Sequence, residues 1–251
     1  MSQFPKHDRL VCKPVFLLSS VRSGSTLLRC ILDSHSSICA PHELHLGHIG
    51  ARIDSEFATL SMSILGLDAT SLKQLLWDRV LQSILAQSGK SIIVDKSPSN
   101  TFIHDELRAC WPDARFLVLR RHPADIATSI VQANDGRDLA EASALVNRFG
   151  EALDRVLRDE PNTPVIRYED LVTDPASTCR QLCDLLVTPY EPAMLDYGAS
   201  EHGPLIYGVG DWGDRIRTGR IQPCPGASEA RPTPPQLVDL THRWGYCVSS
   251  W

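Results

Sequence analysis

The stretch VRSGSTLL, residues 21–28, carries side chains that bind anions. Arg22 supplies a forked, permanently charged guanidinium that suits phosphate or sulfate oxygens. Gly24 allows a close approach to the backbone, and the apolar pattern after it predicts a helix whose first amide N–H groups lack partners within the helix. Hydroxyl groups complete the set, on Ser23, Ser25 and Thr26. The Walker spacing G-x-x-x-x-G-K-[ST] is absent, so the sequence predicts an anion-binding loop of another kind.

A second candidate anion site lies in RFLVLRRHPADIATSI, residues 115–130. Arg120 and Arg121 end a strongly apolar run, and the His-Pro pair after them predicts the start of a helix. Ser129 follows Arg121 by about two helical turns, so the two side chains can face one anion. Ligands of α/β proteins gather at the carboxyl ends of strands, which favours a binding function here.

Lys96, in VDKSPSN, follows another apolar run. It either forms a structural salt bridge with a carboxylate nearby or reaches into the crevice that holds both anion sites. One crevice with two anion sites and a lysine between them suits a nucleotide that bears phosphates at opposite ends of its ribose.

Four short apolar runs predict the strands that position these residues: 15–20, 91–95, 115–120 and 163–168. Their continuous apolarity is typical of strands buried on both faces, and the helical patterns between them indicate an α/β fold with a parallel sheet. Further helices are predicted at 142–160 and at 174–186, where Asp174 caps the N-terminus ahead of Pro175. No repeat or linker interrupts the pattern, so residues 1–251 are predicted to form a single domain.

Two helical patterns occupy residues 51–88, between the first two predicted strands. This helical insertion suits a lid or an acceptor wall, and simple packing on the sheet is the alternative. The second pattern predicts a buried face formed by Leu72, Leu75, Leu76, Val80 and Ile84. Later in the chain, residues 208–235 are rich in Gly, Pro and Arg and are predicted to form an extended loop or a flap.

The composition limits the kind of protein. With 43% hydrophobic and 22% charged residues, the chain is typical of a soluble globular protein. Its net charge of −5 argues against nucleic-acid binding. No run approaches the ~18 apolar residues of a membrane span, and no secretory signal is evident. Eight cysteines without a C-x-x-C pair indicate reduced thiols, so the expected location is cytoplasmic.

These motifs resemble those of the sulfotransferases that use 3′-phosphoadenosine-5′-phosphosulfate (PAPS), in the same order along residues 15–172. The resemblance implies a P-loop-kinase-like parallel sheet flanked by helices. It implies that the loop from Arg22 to Leu27 binds the 5′-phosphosulfate and that Arg121 and Ser129 bind the 3′-phosphate. Tyr168, in VIRYEDL, is then expected to help enclose the nucleotide.

The resemblance is strongest to the branch that contains tyrosylprotein sulfotransferases and the sulfotransferase domains of olefin-forming polyketide synthases. The run RSGSTLLRCILDSHSSICAPHELHL carries it. In that branch a carboxylate after the first helix is the catalytic base, which maps to Glu43. Lys96 maps to the lysine that stabilises the departing phosphate, and we expect Arg22 to act on the same step.

The chain also departs from the family pattern at two places. Cytosolic sulfotransferases carry a catalytic histidine two residues beyond the corresponding lysine, where this chain has Pro98. The segment GVGDW, residues 208–212, is similar to the end of their R-K-G-x-x-G-D-W motif, but Leu205 and Ile206 occupy the Arg-Lys positions. Late contacts to the 3′-phosphate are therefore expected from RTGRIQP, at Thr218, Gly219 and Arg220.

The run PHELHLGH, residues 41–48, leaves two further alternatives open. His45 is a competing base, because it points to the same space as Glu43 if this stretch is extended. His42, His45 and His48 recur every three residues, which makes a zinc site on one helical face an alternative. Solvent-facing histidines, with His45 near the site, are the simpler interpretation.

The sequence thus predicts an enzyme that moves a sulfuryl group from PAPS to an acceptor hydroxyl by in-line attack, without a metal. The acceptor that the resemblance implies is a hydroxylated natural product, either a small molecule or an acyl chain on a carrier protein. Peptidyl tyrosine and sugars are alternative acceptors. A metal-dependent kinase of similar fold and a non-catalytic nucleotide-binding module are the alternative functions.

Overall fold

The computed structural model describes residues 9–133, 136–203, 215–224 and 229–250. Its centre is a parallel sheet with the strand order β2-β3-β1-β4-β5. The strands are β1 (Val15–Ser19), β2 (Ile38–Cys39), β3 (Ile92–Asp95), β4 (Arg115–Arg120) and β5 (Val165–Arg167). The predicted α/β class, with a parallel sheet flanked by helices, is confirmed.

β1 occupies the centre of the sheet, and each of its residues is buried. It pairs with β3 on one side and with β4 on the other. Phe16 and Leu18 join an apolar cluster on one face of the sheet. Val15 and Leu17 alternate with them and join a second cluster on the opposite face. This two-sided burial explains the continuous apolarity of the strand's sequence.

Helices cover both faces of the sheet. They are α1 (Ser25–Asp33), α2 (Glu56–Ile64), α3 (Ala69–Ser88), α4 (His104–Cys110), α5 (Pro123–Gln132), α6 (Leu139–Asp159), α7 (Tyr168–Thr173), α8 (Pro175–Leu186) and α9 (Val238–Arg243). A short parallel pair, β6 (Arg231–Pro232) and β7 (Val248–Ser249), lies outside the main sheet. Over the described residues, no helix combines the length and the apolarity that crossing a bilayer requires.

The helix boundaries follow capping signals in the sequence. Asp174 caps α8 by accepting the Ser177 amide, as predicted. α6 begins earlier than predicted, because Asp138 and Glu141 form a capping box ahead of it. The fourth predicted strand is shorter than expected, because Tyr168 begins α7 instead of ending the strand.

The predicted buried face of α3 is wrong at Leu75 and Leu76, whereas Val80 and Ile84 are partly buried and pack against the core. Leu75 and Leu76 are 46% and 40% exposed, and the helix buries Trp77 and Leu81 instead. The Trp77 indole donates a hydrogen bond of 2.8 Å to the Ile49 carbonyl. A buried indole N–H needs such a partner, so this contact determines which face of the helix turns inward. α3 therefore packs on the core, whereas α2 has no buried residue and an acceptor wall remains a prediction for α2.

Candidate active site

The predicted anion-binding loop connects β1 to α1. α1 begins at Ser25, and Gly24 precedes it with a φ of 88° and without a side-chain cap. The first amide groups of a helix have no acceptor within the helix, and such a terminus can bind an anion. Arg22 also has a positive φ, of 60°. A residue with a side chain is strained by about 1–3 kcal/mol in this region, and such strain clusters at functional sites.

Arg22 and the second predicted anion site come together in the structure. The Arg22 Nε donates to the Ser129 hydroxyl (3.1 Å), and the Arg121 Nη1 donates to the Arg22 carbonyl (3.1 Å). The Arg121 guanidinium also lies over the Tyr168 ring, 4.6 Å from its centroid. Its Nε is buried and has no hydrogen-bond partner among the residues that the structure describes. A buried donor without an acceptor is costly, so this geometry fits an anionic ligand at Arg121.

Lys96 and Glu43 form a second cluster at the end of β3. The Lys96 side chain is 0% exposed; its ammonium pairs with the Glu43 carboxylate and lies 3.4 Å from the Thr26 hydroxyl. The other Glu43 oxygen lies 3.2 Å from the His45 Nε2. Burial lowers the pKa of Lys96, and the Glu43 carboxylate acts against that shift. Lys96 thus both forms a salt bridge and reaches the anion-binding loop, which combines the two predicted alternatives.

The loop that carries Glu43 is held by buried polar residues that the sequence analysis did not identify. The His45 amide donates to the Ser97 hydroxyl (3.0 Å), and Ser97 donates to Asp95 (3.0 Å). Asn100 donates to the other Asp95 oxygen (2.7 Å). The signal in the sequence is the run of polar residues in VDKSPSN, directly after a buried strand.

Glu169 is another buried polar residue beside the candidate site that the sequence analysis did not identify. Its carboxylate accepts the His122 amide (2.9 Å) and the Tyr246 hydroxyl (2.8 Å). Burial raises the pKa of Tyr246, so the phenol remains a donor to this carboxylate. Glu169 follows Tyr168, and His122 follows Arg121. These contacts therefore fix β4, α7 and the segment after α9 directly beside the Arg121–Tyr168 stack.

A cavity of about 680 Å³ lies beside α1. Its walls are residues 196–203 and 216–220 together with Cys30 on α1. Thr218, Gly219 and Arg220 line it, and a Cβ on Gly198 would lie 2.6 Å from the Gly219 Cα. The two glycines therefore let the two segments pack closely. The GVGDW segment, with Leu205 and Ile206 before it, lies outside the described residues.

One apolar cluster lies against both the anion-binding loop and residues 216–221. Leu27, Tyr168, Ile216 and Ile221 are half-buried and pack against one apolar cluster. Arg29, on the same helix, is buried and donates to the carbonyls of Ala40 (3.1 Å) and His202 (3.4 Å). The positive charge of Arg29 also lowers the pKa of Lys96, although less than burial does. Arg29 was not predicted, because its partners are main-chain atoms of distant segments.

The predicted helical face of histidines does not form. The helical turn there covers Leu46–His48 only, and His45 precedes it with a φ of 50°. The rings of His45 and His48 are 6.1 Å apart. Among the residues that the structure describes, no three His, Cys, Asp or Glu side chains are grouped as metal ligands. The left-handed backbone at His45 is the reason that the three-residue spacing does not align the rings.

The fold and the two clusters agree with one family of enzymes. The model of the sulfotransferase family matches residues 14–192, and the chain belongs to this family. This membership favours sulfotransfer over the kinase alternative. The matched range also includes every predicted site residue from the anion-binding loop to Tyr168.

Individual relatives agree with this assignment. The nodulation protein NoeE of Sinorhizobium fredii is 29% identical over 82% of this chain and 56% of its own length. Protein-tyrosine sulfotransferase A of Caenorhabditis elegans is 21% identical over 73% of this chain and 52% of its own length. This chain therefore spans about half the length of these curated relatives.

Two solved structures resemble the chain over nearly its whole length. The sulfotransferase domain from the curacin biosynthetic pathway is 25% identical, with a TM-score of 0.65 over 96% of this chain and 100% of that domain. The sulfotransferase domain of the Synechococcus PCC 7002 olefin synthase is 23% identical, with a TM-score of 0.66 over 98% and 100%. The olefin synthase domain shows the same fold, and the curacin domain agrees with the resemblance that the sequence motifs indicate.

Proposed function

We propose that this sulfotransferase moves a sulfuryl group from PAPS to the hydroxyl of an acceptor. The observation that carries the proposal is the buried Lys96–Glu43 pair, which meets Thr26 at the uncapped start of α1. Transfer of a sulfuryl group from a phosphate to a hydroxyl requires a base for the hydroxyl proton and positive groups that stabilise the leaving phosphate. The carboxylate can serve as the base, and the cation and the helix N-terminus supply the positive groups. PAPS supplies the sulfuryl group and a phosphate leaving group when it is bound.

The residues present fit such a donor. The amides and hydroxyls from Arg22 to Leu27 would hold the 5′-phosphosulfate. Arg121, with its unpartnered Nε, and Ser129 would hold the 3′-phosphate, and Tyr168 would enclose the nucleoside. Thr218, Gly219 and Arg220 would supply late contacts; they line the cavity beside α1, the helix that follows the anion-binding loop.

Glu43 would act as the general base. Its carboxylate would accept the proton of the acceptor hydroxyl as that oxygen attacks sulfur, because an alcohol that keeps its hydroxyl proton is a poor nucleophile. Lys96 and Arg22, together with the first amides of α1, would neutralise the charge that grows on the phosphate oxygen as the S–O bond breaks. His45 lies 3.2 Å from the Glu43 carboxylate and is the competing base.

For the acceptor, we propose a hydroxylated natural-product intermediate, small or bound to a carrier protein as an acyl chain. The similarity to sulfotransferase domains from the curacin pathway and from an olefin synthase supports it. The tyrosine sulfotransferase relative makes peptidyl tyrosine the competing acceptor. We further propose that residues 1–251 act as one domain in the cytoplasm, as expected for a sequence whose eight cysteines include no C-x-x-C pair.

Calorimetric titration in metal-free buffer tests the donor. We expect 3′-phosphoadenosine 5′-phosphate to bind and ATP to bind much more weakly, because ATP lacks the 3′-phosphate. Turnover of PAPS with hydroxylated acyl chains, natural products and tyrosine peptides then ranks the acceptors. Preferred binding of ATP that depends on magnesium would support a kinase instead. Binding of the nucleotide without turnover of any acceptor would support a binding module.

We expect Arg121→Ala to weaken binding of 3′-phosphoadenosine 5′-phosphate by at least roughly tenfold. A hydrogen bond to a charged group contributes about 1.5–3 kcal/mol, and about 1.4 kcal/mol corresponds to a factor of ten. Calorimetry measures the change, and AMP should bind the wild type much more weakly. Arg180→Ala is the matched control, because Arg180 lies over a tyrosine ring in the same way, 4.7 Å from the Tyr190 centroid. Equal affinity of the wild type for the two nucleotides would remove the 3′-phosphate site.

We expect Gly24→Ala to impair nucleotide binding as well as stability. A Cβ at this position would lie 2.2 Å from the Tyr168 ring, and the φ of 88° is unfavourable for alanine. Gly89→Ala is the control for backbone strain alone, because φ is 66° there and no atom lies within 4 Å of the added Cβ. The strain costs about 1–2 kcal/mol in both variants. If Gly24→Ala binds the nucleotide as well as Gly89→Ala does, Tyr168 does not border the nucleotide site.

A further inference from the structure

Asp95 is a buried carboxylate directly beside the proposed catalytic residues. It ends β3, and its side chain is enclosed by the turn that follows the strand. One oxygen accepts the Ser97 hydroxyl (3.0 Å) and the other accepts the Asn100 amide (2.7 Å). Burial raises the pKa of Asp95, and these donors stabilise its charged form against that shift.

The contacts of Asp95 extend to the loop that carries Glu43. The Leu44 amide lies near the Asp95 carboxylate and lowers its pKa, against the effect of burial. The His45 amide donates to the Ser97 hydroxyl (3.0 Å), which itself donates to Asp95. The loop that carries Glu43 is therefore tied to Asp95 by hydrogen bonds that run from the His45 amide through Ser97. His45 has a φ of 50°, so the loop holds a strained conformation that these bonds can stabilise.

We propose that Asp95 is a positioning residue for sulfuryl transfer. It holds the Glu43 loop so that the Glu43 carboxylate stays paired with the Lys96 ammonium. The inference rests on the proposed function. Asp95 and Lys96 are consecutive residues at the end of β3. The same strand end therefore positions the Lys96 ammonium and anchors the loop that brings Glu43 to it. A displacement of about 1 Å at a reacting group can lower a rate by roughly 100-fold, so this anchor controls turnover without touching the substrate.

The contacts distinguish positioning by hydrogen bonds from an effect of charge. The Asn100 Oδ1 is buried and accepts no hydrogen bond from the described part of the chain. An asparagine at position 95 would keep an acceptor oxygen for Ser97, and Asn100 could turn its amide to accept from the new NH₂ group. An alanine would remove both acceptors. A geometric anchor therefore predicts that Asp95→Asn rescues what Asp95→Ala loses.

The experiment compares kcat, product-nucleotide affinity and melting temperature for these variants. We expect Asp95→Ala to lower kcat by roughly 10–100-fold, with affinity for 3′-phosphoadenosine 5′-phosphate within about threefold of wild type. Asp95→Asn should recover kcat to within about fivefold. Ser97→Ala removes the acceptor of the His45 amide and one of the two side-chain donors to Asp95, but it keeps the Asp95 carboxylate and its bond from Asn100, so it should lower kcat less than Asp95→Ala. This variant also decides the question if Asp95→Ala does not fold, because an unchanged kcat in Ser97→Ala would then overturn the proposal.

A double-mutant cycle separates positioning from general stability. In a Glu43→Gln background, Asp95→Ala should change kcat by less than about threefold, because the group that it positions is already gone. Asp78→Ala is the control, because Asp78 is buried and accepts the Leu10 (2.7 Å) and Val11 (3.1 Å) amides far along the chain from Glu43. It should lower the melting temperature and leave kcat unchanged. An equal loss of kcat from Asp95→Ala in both backgrounds would overturn the proposal.

A second readout keeps this test separate from the test of the proposed function. If the wild type transfers no sulfuryl group, the proposed function fails, and trace acetylation of Lys96 by acetic anhydride, followed by mass spectrometry, decides on Asp95. Release of the Glu43 loop should expose the buried Lys96 ammonium and raise its labelling at least tenfold in Asp95→Ala over both the wild type and Asp78→Ala. Unchanged labelling of Lys96 would overturn the positioning function.

Discussion

Glu43→Gln is expected to lower kcat by about 10²–10⁴-fold, the usual contribution of a positioned general base. Glutamine keeps the shape of the side chain and can still accept from the Lys96 ammonium, but it is not a base. The affinity for 3′-phosphoadenosine 5′-phosphate should stay within a few-fold of wild type, because Glu43 is paired with Lys96 and His45 and is proposed to act on the acceptor, not on the nucleotide. Single-turnover kinetics with PAPS, combined with calorimetry of the product nucleotide, measure both quantities.

His45→Ala is the partner variant of this experiment. His45 lies against the same carboxylate, at 3.2 Å, and its main chain is held by Ser97. If Glu43 is the base, His45→Ala should reduce kcat much less than Glu43→Gln. If Glu43→Gln retains near-full turnover while His45→Ala abolishes it, the histidine is the base and Glu43 only pairs with Lys96.

Lys96→Met is expected to lower kcat by about 10²–10³-fold, the loss seen when one donor to a developing charge is removed. The charge on the leaving oxygen grows only as the S–O bond breaks, so binding of the product nucleotide should change by no more than a few-fold. The side chain of methionine is apolar and similar in length, so it fills the buried space without the ammonium. Rapid-quench measurement of a single turnover isolates the chemical step.

The same substitution also affects stability, which must be measured separately. Removing one partner of a buried ion pair typically costs about 3–5 kcal/mol, because the other charge is left uncompensated. The double variant Lys96→Met/Glu43→Gln should therefore regain stability without regaining kcat. Lys90→Met is a matched control, because Lys90 pairs with Asp33 away from the site. An unchanged kcat in Lys96→Met, with chemistry rate-limiting, would make Lys96 a structural residue.

The sequence was sufficient for most of the central sheet, for a physical reason. β1, β3 and β4 are buried on both faces, so their apolarity is continuous and easy to recognise. β2 has two residues, too few to form a pattern, and it was missed. The buried face of α3 was assigned from its leucines, but the hydrogen bond of the Trp77 indole decides it, and no periodicity reports such a partner.

The site was only partly predictable. Arg22, Lys96 and Arg121 follow strand ends, and the carboxyl ends of parallel strands meet at one edge of a sheet, so their proximity could be expected. Asp95, Ser97 and Arg29 bind main-chain atoms of loops, and such partners depend on the path of the whole chain. The contact between Arg22 and Ser129 joins two motifs that sequence analysis assigned to opposite ends of the nucleotide.

The position of β1 at the centre of the sheet has a consequence for how the protein folds. Val15 pairs with Val94 and with Arg115, so loops of about 80 and 100 residues must close before the strand has both neighbours. Such long-range pairing slows folding, and it forms late relative to local helices. The anion-binding loop follows this strand directly, so in refolding experiments the capacity to bind nucleotide should return after the helical circular-dichroism signal.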